Sequence, residues 1–228
     1  GELPTTHIQF LVLDEADRMM DMGFIHQLRK ILEVVPRKRQ NLLFSATFSE
    51  RVEKLSAEFL EFPIKVEVTP QATAAKQVEQ EIYHIANLKT KMNFLEYLLQ
   101  DKEQFNRVMI FTRTKEVANN VFNFLDRRGL GPVKVIHSNK GQNSRINAVN
   151  EFKEGNLRIL VSTDVTARGI DVVKVSHVIN FDVPVLHEDY VHRIGRTGRA
   201  GASGEAISLV SGEEMAYLRD IEKLTDQK

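Results

Sequence analysis

Two adjacent carboxylates close a hydrophobic run near the start of this chain: Ile8 to Leu13 reads IQFLVL and stops abruptly at Asp14-Glu15, with Asp17 two residues further on. Acids at the carboxyl end of a buried strand suit nucleotide hydrolysis. One carboxylate serves Mg²⁺, mostly through water, because Mg²⁺ gives up its hydration shell reluctantly. The neighbour can act as general base on an attacking water. The same acids also suit the opening of a helix, where negative charge meets the positive end of the dipole. The tetrapeptide alone leaves both readings standing.

A second segment, HRIGRTGR from His192 to Arg199, spaces Arg193, Arg196 and Arg199 three apart. Guanidinium is planar, permanently charged and bidentate, so such a row can stabilise charge developing on a transferring phosphoryl group. A basic helix end or a surface patch is the plainer reading. A third segment, STDVTARGID from Ser162 to Asp171, sets hydroxyls, Arg168 and two carboxylates within one short stretch. That mixture suits a ribose or a phosphate backbone, and equally a polar loop before a capped helix.

Positioning these groups requires strands that end where they begin. Short apolar runs are predicted as strands at Ile8–Leu13, Asn41–Phe44 and Ile64–Val68. Further strands are predicted at Val78–His84, Val108–Thr112, Val133–His137, Ile159–Ser162, His177–Phe181 and Gly204–Leu209. Helical spacing fills the intervals: from the acids to about Val34, then around Val52, Leu55, Phe59 and Leu60. It returns at Thr90–Leu99, Lys115–Arg128, Ser144–Glu154, Glu188–Arg193 and about Glu213–Leu224. Strands alternating with helices imply an α/β fold with mostly parallel sheets. The expectation is one complete doubly wound domain over 78–228, preceded by part of another over 1–70, with the small, polar segment 71–77 as linker. Parallel sheets bind ligands beyond the carboxyl ends of their strands. That rule selects Asp14-Glu15, Ser45-Ala46-Thr47, Thr112-Arg113 and Ser162-Thr163-Asp164.

Hydrophobic residues at 42% and charged residues at 27% fit a folded chain. Basic and acidic residues balance at 31 each, so the strongly basic total of a constitutive nucleic-acid binder is missing, although a basic face can hide in a balanced sum. The absence of cysteine excludes disulfides and thiolate metal sites and agrees with a reducing, cytoplasmic setting. No apolar run approaches the ~18–20 residues that span a bilayer. The opening Gly1-Glu2-Leu3-Pro4 carries no apolar leader and reads as a cut from a longer protein.

Taken in order, VLDEAD, SAT, IFTRTK, STDVTARGID and HRIGRTGR make the chain resemble the DEAD-box ATP-dependent RNA helicases of superfamily 2. LDEADRMMDMGF and NLLFSATFS are most similar to the bacterial RhlE-type branch. The resemblance implies two RecA-like domains, the first incomplete here, and ATP and Mg²⁺ as cofactors. It places Asp14 on the metal through water and Glu15 on the attacking water. Asp17 would lie at the nucleotide and help couple the two domains, and Asp171 would lie at the ribose. Ser45, Thr47 and His192 become coupling residues. Arg193 and Arg196 would reach the γ-phosphate across the interdomain cleft, with Arg196 the preferred finger and Arg199 mainly structural. Thr112, Arg113, Gln142, Arg145, Thr163 and Arg168 would contact RNA or brace those contacts, gripping phosphates and 2′-hydroxyls of single-stranded or duplex RNA without reading bases.

One departure stands out. No G-x-x-x-x-G-K-[ST] segment occurs, so the family's phosphate cradle is missing from these residues. A half-domain with open strand edges is a candidate for dimerisation. The alternatives are an RNA-binding fragment without turnover, a truncated product completing its site as a dimer, and a DNA helicase of the same superfamily. The DEAD, SAT and HRIGRTGR spellings argue against the last.

Overall fold

The computed structural model describes residues 4–21, 23–46, 48–67, 78–167, 172, 175–198 and 204–225. The chain divides into two compact units, Gly1–Thr69 and Pro70–Lys228. Segment 71–77, expected as a linker, lies outside the described residues.

In the first unit, β1 (Phe10–Leu13) pairs in parallel with β2 (Gln40–Leu43), Phe10 opposite Gln40 and Leu13 opposite Leu43. Three helices follow the strands: α1 (Ala16–Asp21), α2 (Ile25–Val34) and α3 (Glu50–Phe59). The single helix expected up to Val34 is broken at Gly23. Its φ of 74° is left-handed, the Gly23 N–H donates to Met20 O, and the Phe24 N–H donates to Met19 O. Those two bonds form a Schellman stop, which glycine permits without steric cost. The hydroxyl of Ser49 caps α3 by accepting from the Val52 N–H.

Leu13, Ala16, Leu28, Val52, Leu55 and Phe59 form one core, with Leu11 and Leu43 packed against it. Side chains alternate along a strand, so Phe10 and Val12 face the other way and are 61% and 50% exposed. The strand expected to be buried on both faces is therefore buried on one, because the helices all contribute to the Leu11–Leu13 side. The strand expected at Ile64–Val68 does not form over 64–67. Ile64 and Val66 are exposed, no strand among the described residues offers them a ladder, and Val68 lies outside those residues.

The second unit is a six-stranded, wholly parallel sheet. Its strands are β3 (Val78–His84), β4 (Val108–Thr112), β5 (Val133–Ile136), β6 (Ile159–Thr163), β7 (His177–Asn180) and β8 (Gly204–Val210), in the spatial order β3-β8-β7-β4-β6-β5. Its helices are α4 (Leu88–Gln100), α5 (Lys115–Arg127), α6 (Gln142–Glu154), α7 (Asp164–Ala167), α8 (His187–Ile194) and α9 (Met215–Thr225), the last after a 3₁₀ turn at Gly212–Glu214. Every residue of β4 and β6 is buried, as expected of central parallel strands covered on both faces. Alternation divides them between two cores. Met109, Phe111 and Leu160 join Ala148, Phe152, Tyr190, Ile194, Leu218 and Ile221 from α6, α8 and α9. Val108, Ile110, Ile159 and Val161 join Leu95, Leu99, Val121 and Leu125 from α4 and α5. The α/β class holds in both units, and the second is doubly wound as expected.

Candidate functional site

In the first unit the acids sit directly beyond β1. Glu15 has φ 52°, a left-handed conformation that costs a residue with a Cβ roughly 1–2 kcal/mol. Its N–H donates to Asp14 Oδ1 at 2.9 Å, and its carbonyl accepts from the N–H groups of Arg18 and Met19 to open α1. The Ala16 N–H donates to Phe44 O at 3.0 Å. One residue later the Asp17 N–H donates to Ser45 Oγ at 3.2 Å. The sequence-predicted coupling pair, Asp17 and Ser45, is thus brought into direct contact, while Thr47 lies outside the described residues. Asp14 is exposed, and its carboxylate offers the hard oxygen that Mg²⁺ prefers. No group of three or more His, Cys, Asp or Glu that could hold a metal is found among the described residues. A single exposed carboxylate of this kind fits a hard divalent cation such as Mg²⁺.

In the second unit, α7 opens at Asp164 where β6 ends, and α8 carries His192 and Arg193. Arg193 is expected at a transferring phosphate, but its side chain is 1% exposed and already committed. Nε and Nη2 reach the two oxygens of Asp164 at 2.6 and 2.9 Å. Nη1 donates to Asn180 Oδ1 at 3.2 Å and to Asp182 O at 2.6 Å. The Phe111 ring lies 5.2 Å from the guanidinium carbon. With four of its five N–H donors on protein acceptors, Arg193 joins α8 to the ends of β6 and β7. Arg196 is half-buried, and its Nε donates to His192 O at 3.2 Å. Arg196, His192 and Arg193 line a small recess with Asp164 and Asp189. Asp171 and Arg199 lie outside the described residues.

The remaining predicted residues divide by burial. Thr112 is fully buried, and its hydroxyl donates to Thr114 O at 3.1 Å. Thr163 is buried, with its hydroxyl 3.1 Å from that of Thr166. Both hydroxyls bond within the loops that follow β4 and β6. Gln142 is exposed and Arg145 half-buried on the first turn of α6, joined by a 3.1 Å bond from Arg145 Nη1 to Gln142 Oε1. Arg113 is one-third exposed. Arg168 lies outside the described residues.

Lys115 and Lys140 extend this basic arc and were not singled out by sequence. Lys115 sits beside Thr112-Arg113, already selected by the carboxyl-end rule, whereas Lys140 follows β5, an end that was not selected. Both are felt at His137, whose pKa is pushed down first by burial and then by Lys140 and Lys115.

Two family models match the chain. The DEAD/DEAH box helicase model matches residues 2–55, and the helicase conserved C-terminal domain model matches 90–201. The ATP-dependent RNA helicase DbpA of Bacillus subtilis is 42% identical over 98% of this chain and 46% of its own length. The ATP-dependent RNA helicase CshA of Listeria monocytogenes is 41% identical over 99% of this chain and 43% of its own. The chain therefore spans less than half the length of these curated relatives. Among solved structures, S. cerevisiae Dbp5 bound to RNA and ADP BeF3 superposes with a TM-score of 0.88 at 31% identity, over 99% of this chain and 59% of that one. The E. coli DEAD-box protein SrmB, bound to regulator of ribonuclease activity A, gives a TM-score of 0.62 at 36% identity over 66% of this chain and 87% of that one. Matched in both of its units to proteins of one kind, the chain belongs to the DEAD-box family of ATP-dependent RNA helicases.

Proposed function

We propose that the protein couples RNA-stimulated ATP hydrolysis to the unwinding or remodelling of RNA duplexes. The observation that carries this reading is the corner beyond β1: two acids at a strand end, Glu15 held at φ 52°, and the following turn locked to Ser45. Residues 1–70 would belong to an N-terminal ATPase domain and 78–228 to a C-terminal helicase domain, with 71–77 joining them. LDEADRMMDMGF and NLLFSATFS support the RhlE-type branch, and the cysteine-free chain suits the cytoplasm.

Glu15 takes a proton from water as the water oxygen bonds to the γ-phosphorus of ATP. The bond to the β–γ bridging oxygen breaks, leaving ADP and inorganic phosphate. Asp14 would hold Mg²⁺ through water, and the ion neutralises phosphate charge when bound. Arg196 places a guanidinium against the charge that develops on the γ-phosphate. Arg193 acts one step back, holding α8 in place through Asp164. Asp17 and Asp171 border the nucleotide, and Ser45, Thr47 and His192 transmit its state. Arg113, Gln142, Arg145 and Arg168 would grip RNA phosphates and 2′-hydroxyls without reading bases, with Thr112 and Thr163 contacting RNA or bracing those contacts and Lys115 adding a further cation. A strand bent in that grip cannot stay paired.

RNA binding without turnover is the second reading, and the specific observation favouring it is that the 228 residues contain no G-x-x-x-x-G-K-[ST] segment. Phosphate release on titrating single-stranded RNA with Mg²⁺–ATP separates the two, with Glu15→Gln as control. RNA-stimulated release abolished by Glu15→Gln supports hydrolysis by this chain. RNA binding with no release above the control supports the second reading. The exposed Phe10 and Val12 also support self-association through the first unit, and a concentration-independent monomer in sedimentation velocity would rule it out.

A further inference from the structure

Glu214, in the 3₁₀ turn after β8, is completely buried and takes no part in the mechanism above. Its Oε1 accepts from the Val183 N–H at 3.0 Å and lies 3.2 Å from a guanidinium nitrogen of Arg113. Its Oε2 accepts from Lys91 Nζ at 2.7 Å, from the Ser211 N–H at 2.9 Å and from the Ser211 hydroxyl at 2.8 Å. Lys91, also buried, donates to Phe181 O at 2.7 Å and sits 3.8 Å from Asp182 Oδ1. Asp182 Oδ2 in turn accepts the Arg113 N–H at 3.0 Å. One carboxylate therefore ties the loops after β4, β7 and β8 to α4.

A buried ion network of this kind adds little net stability over an apolar replacement, because desolvating the charges offsets their attraction. Burial opposes ionisation of Glu214, and the Lys91 and Ser211 contacts outweigh it, leaving the pKa lowered. What the network does fix is direction. Arg113 emerges from it with a third of its side chain exposed, its guanidinium held between Glu214 and the Tyr217 ring, whose centroid is 5.7 Å away. Guanidinium has five N–H donors. Glu214 and Tyr217 are its ion-pair and ring partners among the described residues, so some of those donors remain for a ligand at the carboxyl end of β4.

We propose that Glu214 is a positioning residue: it orients the Arg113 guanidinium toward an RNA phosphate. The inference rests on the RNA-binding reading above and adds to it a buried acid that acts through another residue. A neutral or mispositioned partner would let the flexible arginine sample several rotamers and forfeit part of the contact.

The test is fluorescence anisotropy of a labelled single-stranded oligouridine titrated with the whole chain across a range of salt. Arg113→Ala and Glu214→Gln are each expected to weaken binding about tenfold, the lower end of what a hydrogen bond to a charged group is worth. Each should flatten the logarithmic salt dependence by about 0.7, the value for one phosphate contact on a single strand. The double variant should bind no more weakly than either single. Lys91→Met lowers the melting temperature yet leaves Glu214 on Arg113, so affinity and salt slope should stay at the wild-type value. If Glu214→Gln alone does not fold, Lys91→Met with Glu214→Gln removes both charges and is compared with Lys91→Met.

Multiplying effects of Arg113→Ala and Glu214→Gln would overturn the proposal, as would an unchanged slope in Glu214→Gln or equal weakening by Lys91→Met. Wild-type binding that ignores Arg113→Ala sinks this inference alone. No binding by the wild-type chain at any salt sinks the RNA reading with it.

Discussion

Arg193 and Asp164 form a bidentate pair, with nitrogen–oxygen distances of 2.6 and 2.9 Å, between a helix and a strand end 29 residues apart in sequence. The arginine is 1% exposed and the aspartate 18%. Removing one partner from a pair this deep leaves a charge without compensation, at a cost of about 3–5 kcal/mol. Arg193→Ala is therefore expected to lose that much in urea unfolding of the whole chain, before any effect on phosphate release. A loss below about 1 kcal/mol, typical of a surface pair, would mean that this pair is not structural.

Glu15 carries the opposite signature, a locally unfavourable backbone at a residue with a chemical task. Strained residues persist where function demands them. Glu15→Gly should stabilise the first unit by about 1 kcal/mol through relief of the left-handed conformation, while removing the proposed base. Amide exchange over β1 and β2 that is faster than in the wild type would contradict this.

His137 sets a pH dependence in the second unit. Its Nε2 lies 3.1 Å from Asn119 Oδ1, and its buried Nδ1 has no partner among the described residues. Burial first, then Lys140 and Lys115, lower its folded pKa below the ordinary value of 6.5. The unfolded chain therefore binds the proton more readily than the folded one. The stability associated with neutral His137 is fully present above about pH 6.5 and declines as pH falls toward the lowered folded value. The urea midpoint should drop between neutral and mildly acidic pH in the wild type, and drop less in His137→Gln. Equal drops in both would assign the effect to other groups.

Gly204 opens β8 against the turn that ends HRIGRTGR. A Cβ there would stand 2.7 Å from Thr197 Oγ1 and overlap the Gly198 backbone. Thr197 is itself held by a 2.6 Å bond from its hydroxyl to Val175 O. Gly204→Ala should lower stability by about 1–3 kcal/mol, the range for overpacking, and shift the arginine-bearing turn. A melting temperature equal to the wild type would show that the turn can move aside.

Legibility in the sequence followed the range of the interactions involved. β4 was read at its observed bounds because Val108–Thr112 is one apolar run between polar loops, a purely local signal. The carboxyl-end rule found Asp14, Glu15, Ser45 and Arg113 for the same reason. What escaped depended on distant partners. Nothing near Arg193 reveals that its acceptors wait at Asp164, Asn180 and Asp182. Thr112 reads as a polar strand end, and only the packed sheet, with β4 between β7 and β6, shows it fully buried. Ile64 and Val66 have strand composition, yet a strand needs a neighbour to pair with. Gly23 is the exception, a local stop signal that the surrounding helical pattern obscured.

The strand order β3-β8-β7 has a kinetic meaning. β3, the first strand of the second unit, lies at the sheet edge and finds its ladder only on β8, the last, with Val78 opposite Gly204 and His84 opposite Val210. Pairing the two closes almost the whole unit as a loop, the kind of non-local contact that slows folding. On a ribosome, β3 emerges early and waits, and the turn after Arg196 has nothing to seat against until Gly204 follows it out. The turn that carries Arg196 is then among the last parts of the unit to take shape, so a nascent chain holds it unseated until the sheet around it is complete.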